Sequence, residues 1–222
     1  NFEYVLQGQE KDFQTGLDAL AKIAKTHLGI CVCQKNPALT GAKNVTVTTF
    51  EGANPAGNVG VQINHVDPIN KGEIVWTLGA EEVIFIGRLF NNGHVDFTRT
   101  IALAGSEVKK PAYCKVKVGA KLTGIFAGRV ENAQPLRYIN GNPLTGVQTC
   151  AEGYLAAHAT SLTVIPEGAD NHEFLGFIMP RFNQFSTSRS YFSWLCGKKE
   201  YALDARIKGG ERHMIMSGEY DK

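Results

Sequence analysis

The sequence predicts an α/β protein, with a largely parallel-sheet domain followed by a β-grasp unit and further strands. Two observations carry this reading. Over the first hundred residues, short apolar or β-branched runs alternate with segments of helical periodicity, the pattern of strands linked by helical crossovers. Beyond about residue 104 the texture becomes a series of short strands punctuated by turn residues, after a polar stretch with a proline, Lys109-Lys110-Pro111.

The elements follow in order. Within residues 12–25, Phe13, Leu17, Leu20 and Ala24 recur at spacings of four, three and four and draw one stripe along a helix, at the expense of an interior Gly16. Residues 28–33 form a short apolar run, and 45–50 alternate Val and Thr, so both read as strands joined by a polar loop through Asn36-Pro37. Residues 51–57 are turn-rich, 58–66 can be helical, and 73–78 form a β-rich run around Trp76. The helix predicted over 80–90 opens with Glu81 and Glu82, which suit the positive end of its dipole, and sets Val83, Ile86 and Phe90 on one face.

Strands are expected at 98–104 and 113–118, the latter with Lys115 and Lys117 outward. A short helix follows at 122–128, then a strand at 136–139 before the turn Asn140-Gly141-Asn142-Pro143. A strand, helix, strand succession is how a β-grasp unit begins. Residues 159–165 and 173–179 are again strand-like, and 197–222 are charged enough to be a connector. The expected division is therefore 1–108 for the α/β domain, 109–153 for the β-grasp domain, and 154–222 for an additional β-rich segment and connector.

Composition narrows the function. In 222 residues, 43% are hydrophobic and 20% charged, an ordinary globular balance far from disordered or collagen-like chains. The net charge of +2 is too small for a nucleic-acid footprint. No apolar run approaches the roughly 20 residues of a membrane-spanning helix. The chain begins at Asn1 and reads as an internal piece of a longer polypeptide. Of the 5 cysteines, Cys31 and Cys33 are one residue apart, a spacing that suits neither a zinc knuckle nor a thioredoxin motif. All five are expected as free thiols, without a disulfide framework.

Several motifs bear on chemistry. The loop Gly52-x-Asn54-Pro55-x-Gly57-x-x-Gly60 follows a strand and precedes a helix, where backbone N–H groups can receive a ligand. Its spacing fits neither the dinucleotide nor the Walker fingerprint, and Pro55 lacks a donor, so it also reads as a structural turn. His-Val-Asp occurs at 65–67 and again at 94–96, each in a turn context that favours a surface histidine, and no metal site is expected. Ser186-Thr187-Ser188-Arg189-Ser190, with Phe182, Phe185, Tyr191 and Phe192, reads as an amphipathic segment anchored by Arg189. No serine or cysteine stands in a hydrolase motif.

The run Gly52-Ala-Asn-Pro-Ala-Gly-Asn-Val-Gly-Val-Gln-Ile-Asn-His-Val-Asp-Pro68, with Val75-Trp76-Thr77, Val83-Ile-Phe-Ile-Gly-Arg-Leu-Phe90 and Ile101-Ala-Leu-Ala-Gly105, closely resembles the A subunit of the bacterial sodium-translocating NADH:quinone reductase. The likeness extends to residues 13–20, Gly176-Phe-Ile-Met-Pro180, Phe185-Ser-Thr-Ser-Arg189 and Gly209-Gly-Glu-Arg212, nearly the whole chain. It departs at Asn54, where relatives usually carry histidine. Residues 101–122 are also similar to the β-grasp (SLBB-like) module behind the flavin domain in the NADH-oxidising subunit of respiratory complex I and in the Rnf complex.

The resemblance implies a Rossmann-like, Nqo1-like scaffold without the family's flavin loop or iron–sulfur cysteines. No cofactor is expected in this chain, and ubiquinone or menaquinone is the possible substrate. It further implies a peripheral subunit on the cytoplasmic side of the bacterial inner membrane, in a complex that couples electron transfer from NADH to quinone with Na+ export. Its partners would be the other subunits and quinone, with no nucleic acid, and partner subunits would carry NADH oxidation and sodium movement. No catalytic residue is assigned. A ligand of an open α/β sheet settles outside the carboxyl ends of the strands, which makes Gly52, Pro55, Gly57, Gly60 and His65 the quinone-proximal candidates. Two rival readings are an autonomous flavin or NADH oxidoreductase and a soluble small-ligand-binding β-grasp protein.

Overall fold

In the computed structural model, which describes residues 2–53, 55–131, 135–167, 179–184, 189 and 191–197, the chain divides into two units between Phe97 and Thr98. In the first unit, helices α1 (Phe2–Leu6) and α2 (Glu10–Ile23) precede strand β1 (His27–Cys31). Then come α3 (Pro37–Thr40), β2 (Thr46–Phe50), α4 (Val59–Val66) and α5 (Ala80–Asn92). Strands β1 and β2 pair in parallel, His27 opposite Thr46 and Cys31 opposite Phe50.

The first core gathers Leu6, Phe13, Leu17, Ile30, Leu39, Val83 and Ile84. Phe13 and Leu17 are thus the anchors that the helical stripe predicts. The short helix α3, expected as loop, starts because the Asn36 side chain accepts a bond from the Ala38 N–H at 2.9 Å and Pro37 presets the first helical φ. Helix α5 ends at Gly93, whose φ of 74° provides the left-handed cap.

Three expectations are corrected in this unit. The buried residues of α5 are Glu81, Val83, Ile84 and Gly87, while Phe90 is 65% exposed. A small residue at the helix contact is invisible to a pattern that follows only large apolar side chains. The β-rich run at 73–78 forms no strand: it pairs with neither β1 nor β2, and Trp76 is 86% exposed. Composition of that kind makes a strand only where a neighbour offers its backbone. Third, Cys31 and Cys33 are joined in a disulfide instead of being free, whereas Cys114, Cys150 and Cys196 are free thiols.

The second unit holds β3 (Thr98–Ala104), β4 (Ala112–Lys117), α6 (Thr123–Phe126), β5 (Leu136–Asn140), β6 (Val147–Thr149) and β7 (Ser161–Pro166). The sheet order is β4-β3-β7-β5-β6, with β3 and β7 parallel and the other pairs antiparallel. Taken in chain order within the unit, this is second, first, fifth, third, fourth, with α6 after the second strand: the β-grasp arrangement. Ile125 and Phe126 of α6 pack with Ile101, Leu103, Leu162 and Val164 of the two central strands. Arg137 of β5 holds Glu167, just beyond β7, by two bonds of 3.1 and 2.6 Å.

The boundary expected at 108/109 therefore moves to 97/98, and the β-grasp unit extends past 153. Its first strand, β3, and its last, β7, lie side by side at the centre of the sheet, so neither can be assigned elsewhere. The polar stretch around Lys109 is no linker. Lys109 N donates to Arg129 O at 2.9 Å and Glu131 N to Glu107 O at 2.9 Å, a bridge beside Val108 and Val130. Nearly all of the strand expected at 173–179, the serine-rich residues 186–188 and 190, and the connector at 198–222 lie outside the described residues. A 3-10 turn, Phe192–Cys196, follows Tyr191, and Phe182 meets Phe192 edge to face at 6.1 Å.

Candidate functional site

At the carboxyl end of a parallel sheet, side chains and loop amides project beyond the last ladder bonds, which is why ligands of such sheets collect there. Here that edge is formed where β1 and β2 stop together. Val32 N donates to Phe50 O at 3.0 Å, extending the ladder one residue past the strands. Beyond it the chain turns on one side through Cys31, Cys33 and Gln34, and on the other through residues 51–58.

The second loop is built from two tight turns. Ala56 N donates to Ala53 O at 2.9 Å and Asn58 N to Pro55 O at 2.8 Å. Gly52 adopts φ 151°, a conformation that side chains rarely take, and so the chain can leave β2 sharply. Gln62 of α4 clips the loop back through a 3.2 Å bond from Nε2 to Ala56 O. Helix α4 itself lies close over β1, because a Cβ on Gly29 would reach within 2.6 Å of Gln62 Oε1. The helical ladder of α4 begins with Gln62 N donating to Asn58 O at 3.1 Å. The N–H groups of Val59, Gly60 and Val61 therefore lie outside that ladder and face the same edge.

Of the expected site residues, Gly52, Pro55 and Gly57 come together in this loop and Gly60 sits in the first turn of α4. A Cβ at Gly57 or Gly60 would meet open space, so neither glycine is demanded by packing. His65 is not brought to them. It lies in the last turn of α4, about 9 Å along the axis from Val59 at the usual helical rise, and its Nδ1–H donates to Val61 O at 2.8 Å. Asn54 lies outside the described residues. The aspartates of the two His-Val-Asp motifs are engaged by other residues: Asp67 takes Lys25 at 2.8 Å, and Asp96 takes Arg88 at 3.5 Å.

Electrostatics at the opposite, amino end of the sheet are set by Asp67. The hydrogen bond from Lys25 holds its carboxyl below the ordinary aspartate value, with His27 Nε2 at 3.6 Å adding to the effect. The cysteine pair is the feature that sequence reasoning missed. Cys31 is the last residue of β1 and stands opposite Phe50, which leads into the 51–58 loop, and both Cys31 and Cys33 are exposed. The available signal was period two: residues i and i+2 of a strand share a face. Closing so short a loop is worth about 1.6 kcal/mol in the chain-entropy account, against about 3 kcal/mol for a 15-residue loop. The bond is a small contributor to the fold.

Comparison with known proteins is consistent along the chain. Residues 1–95 match the family model described as NqrA second alpha/beta domain, and residues 100–151 match that described as NQRA C-terminal domain, of SLBB type. Among full-length relatives, the A subunit of the Na(+)-translocating NADH-quinone reductase of Actinobacillus pleuropneumoniae (strain L20) is 34% identical over 228 residues, 99% of this chain and 49% of that protein. The protein of the same name from Rhodopirellula baltica is 33% identical over 220 residues, 98% of this chain and 48% of its own. That of Pasteurella multocida is 31% identical over 225 residues, with shares of 99% and 49%. The chain thus spans about half the length of the relatives that it matches.

Proposed function

The chain belongs to the NqrA family, the A subunits of the Na(+)-translocating NADH-quinone reductase, and from that membership we propose that it serves as a peripheral part of such a complex. In this reading it supports electron transfer from NADH to quinone coupled to Na+ export, on the cytoplasmic side of the membrane, with the other subunits as partners. The observation that carries the proposal is similarity over 99% of the chain to proteins of that name. Among the described residues no helix is long and apolar enough to cross a membrane, which accords with a peripheral place. The parallel β1–β2 pair flanked by helices accords with a reduced Rossmann-like, Nqo1-like scaffold.

Within this role, the 51–60 edge is the proposed quinone contact. A quinone needs one or two donors for its ring carbonyls inside an apolar cleft. The amides of Val59, Gly60 and Val61 supply donors, and the exposed Val59 supplies apolar surface. The resemblance provides no flavin loop and no cluster cysteines, so the chain's share is proposed as contact and scaffolding without a resident cofactor.

The test uses the assembled complex carrying Gly57→Val or His65→Ala, with assembly and quinone reduction measured separately. Because a Cβ at Gly57 meets open space, valine there should leave the fold intact and raise the KM for quinone several-fold. His65→Ala, at the far end of α4, should have the smaller effect. Intact assembly with unchanged quinone kinetics in both variants would remove this edge from quinone binding and leave the protein with a scaffolding role alone.

A further inference from the structure

We propose that Cys31 and Cys33 form a reversible thiol–disulfide site that exchanges with low-molecular-weight thiols and disulfides of the glutathione class. The inference goes beyond the quinone reading and does not depend on it.

Three observations carry it. Both cysteines are exposed, so an attacking thiolate can reach either sulfur. Neither belongs to the core of its unit, which is complete with Leu6, Phe13, Leu17, Ile30, Leu39, Val83 and Ile84, and a three-residue loop constrains the unfolded chain only weakly. A bond that does so little for the fold can open without unfolding it. Third, the pair is held in place by something other than itself: Val32, between the cysteines, donates its N–H to Phe50 O at 3.0 Å, and Gln34 N donates to Cys31 O at 2.9 Å. With the two Cα atoms 5.2 Å apart and anchored by those bonds, the reduced thiols stay at a separation from which a disulfide closes again.

The chemistry balances with the named co-reactant. A thiolate RS⁻ attacks one sulfur of the Cys31–Cys33 bond, forming a mixed disulfide and releasing the other cysteine as thiolate, which takes a proton. A second RS⁻ attacks the mixed disulfide on the R-side sulfur, giving RSSR and the second cysteine thiolate, which is protonated in turn. Two RSH are oxidised, one protein disulfide is reduced, and the reverse sequence restores it. A consequence is local: Cys31 stands opposite Phe50, so opening or closing the ring acts on the strand end that carries the 51–58 loop.

The test takes the 222-residue chain through glutathione buffers of graded ratio, quenches with acid, labels thiols with a mass-tagged maleimide and reads the tryptic peptide between Lys25 and Lys35, which holds both cysteines. The expected result is a passage from two labels to none as the buffer becomes oxidising, with unchanged far-ultraviolet circular dichroism. Cys150 and Cys196, free and exposed, act as internal references that have no partner in this peptide. In Cys33→Ser the remaining Cys31 should always be found labelled or glutathionylated. Two labels at every ratio would show that the ring does not close. No label in excess dithiothreitol would show an inert bond, and collapse of the dichroism on reduction would show a structural staple. Any of the three overturns the proposal.

Discussion

Gly87 of α5 rests directly on the backbone of Asp12 in α2: a Cβ built on Gly87 would overlap the Asp12 carbonyl oxygen, far inside the 3.0 Å that real Cβ atoms respect. The contact is reciprocal. A Cβ on Gly16 of α2 would overlap the carbonyl oxygen of Val83 in α5. The two helices pack with backbone against backbone at both points, and a methyl group at either must push them apart.

Gly16→Ala and Gly87→Ala should therefore each destabilise the chain by about 1–3 kcal/mol, the usual cost of overpacking, even after alanine's better helix propensity is credited. Gly60→Ala is the control in the same unit, since its Cβ meets nothing, and should be neutral or stabilising by up to about 1 kcal/mol. Urea denaturation midpoints check the set. Equal stability of Gly87→Ala and the parent would mean that α2 and α5 do not approach as described.

This pair also marks the limit of what the sequence disclosed. The stripe of Phe13, Leu17 and Leu20 located α2, and the β-branched text of residues 46–50 and 98–104 located strands, because burial of large apolar groups leaves a period in the sequence. Gly16 read only as a helix penalty, and the face of α5 was turned toward Phe90, because a glycine's value lies in what another element brings to it. The boundary at Lys109 failed for a related reason: a charged, proline-bearing stretch reads as linker until a distant residue, Arg129, is found bonding its backbone. The 51–58 loop was legible from its turn residues, and the helix expected over 58–66 already set His65 about two turns away from it, whereas the Cys31–Cys33 bond required the strand to end where it does.

Trp76 supplies an optical test of the 73–78 segment. With Trp194→Phe leaving it as the single tryptophan, its fluorescence in the folded chain should lie close to that of the denatured chain, since it is 86% exposed. Acrylamide should quench it nearly as well in both states. A strongly blue-shifted folded emission would mean that the segment packs against the protein after all.

Limited trypsinolysis should distinguish the loop from the stretch that composition marks as a linker. Residues 67–79 carry no regular structure and Lys71 is exposed there, whereas the backbone at Lys109 is bonded to Arg129. Proteases need a stretch of backbone that can be drawn into the active site, so cleavage after Lys71 should precede cleavage after Lys109, with the bond after Arg88 inside α5 cut later still. Early cleavage at Lys109 would restore the boundary that composition alone suggested.

Asp67 and Asp18 give a pH test with a definite sign. Both carboxyls are held below the ordinary aspartate value, Asp67 first by the hydrogen bond from Lys25 and Asp18 first by that from the Asn44 amide. A group whose pKa is lower in the folded chain binds fewer protons there than in the unfolded chain. Its contribution to stability is present above the unfolded value and is lost as the pH falls through the folded one, so both contributions should fade below about pH 4. Asp67 is exposed and Asp18 only half-buried, which makes the effect on the pKa a better readout than the effect on unfolding. In a carboxyl-detected NMR titration, Lys25→Met should return Asp67 toward the ordinary value and leave Asp18 depressed, and Asn44→Ala should do the reverse. Added salt separates the causes further, because it screens the ammonium of Lys25 but not a bond from a neutral amide. If Asp67 titrates at the ordinary aspartate value in the parent chain, then Lys25 does not hold it in solution and the amino end of β1 is not tied to α4 through that pair.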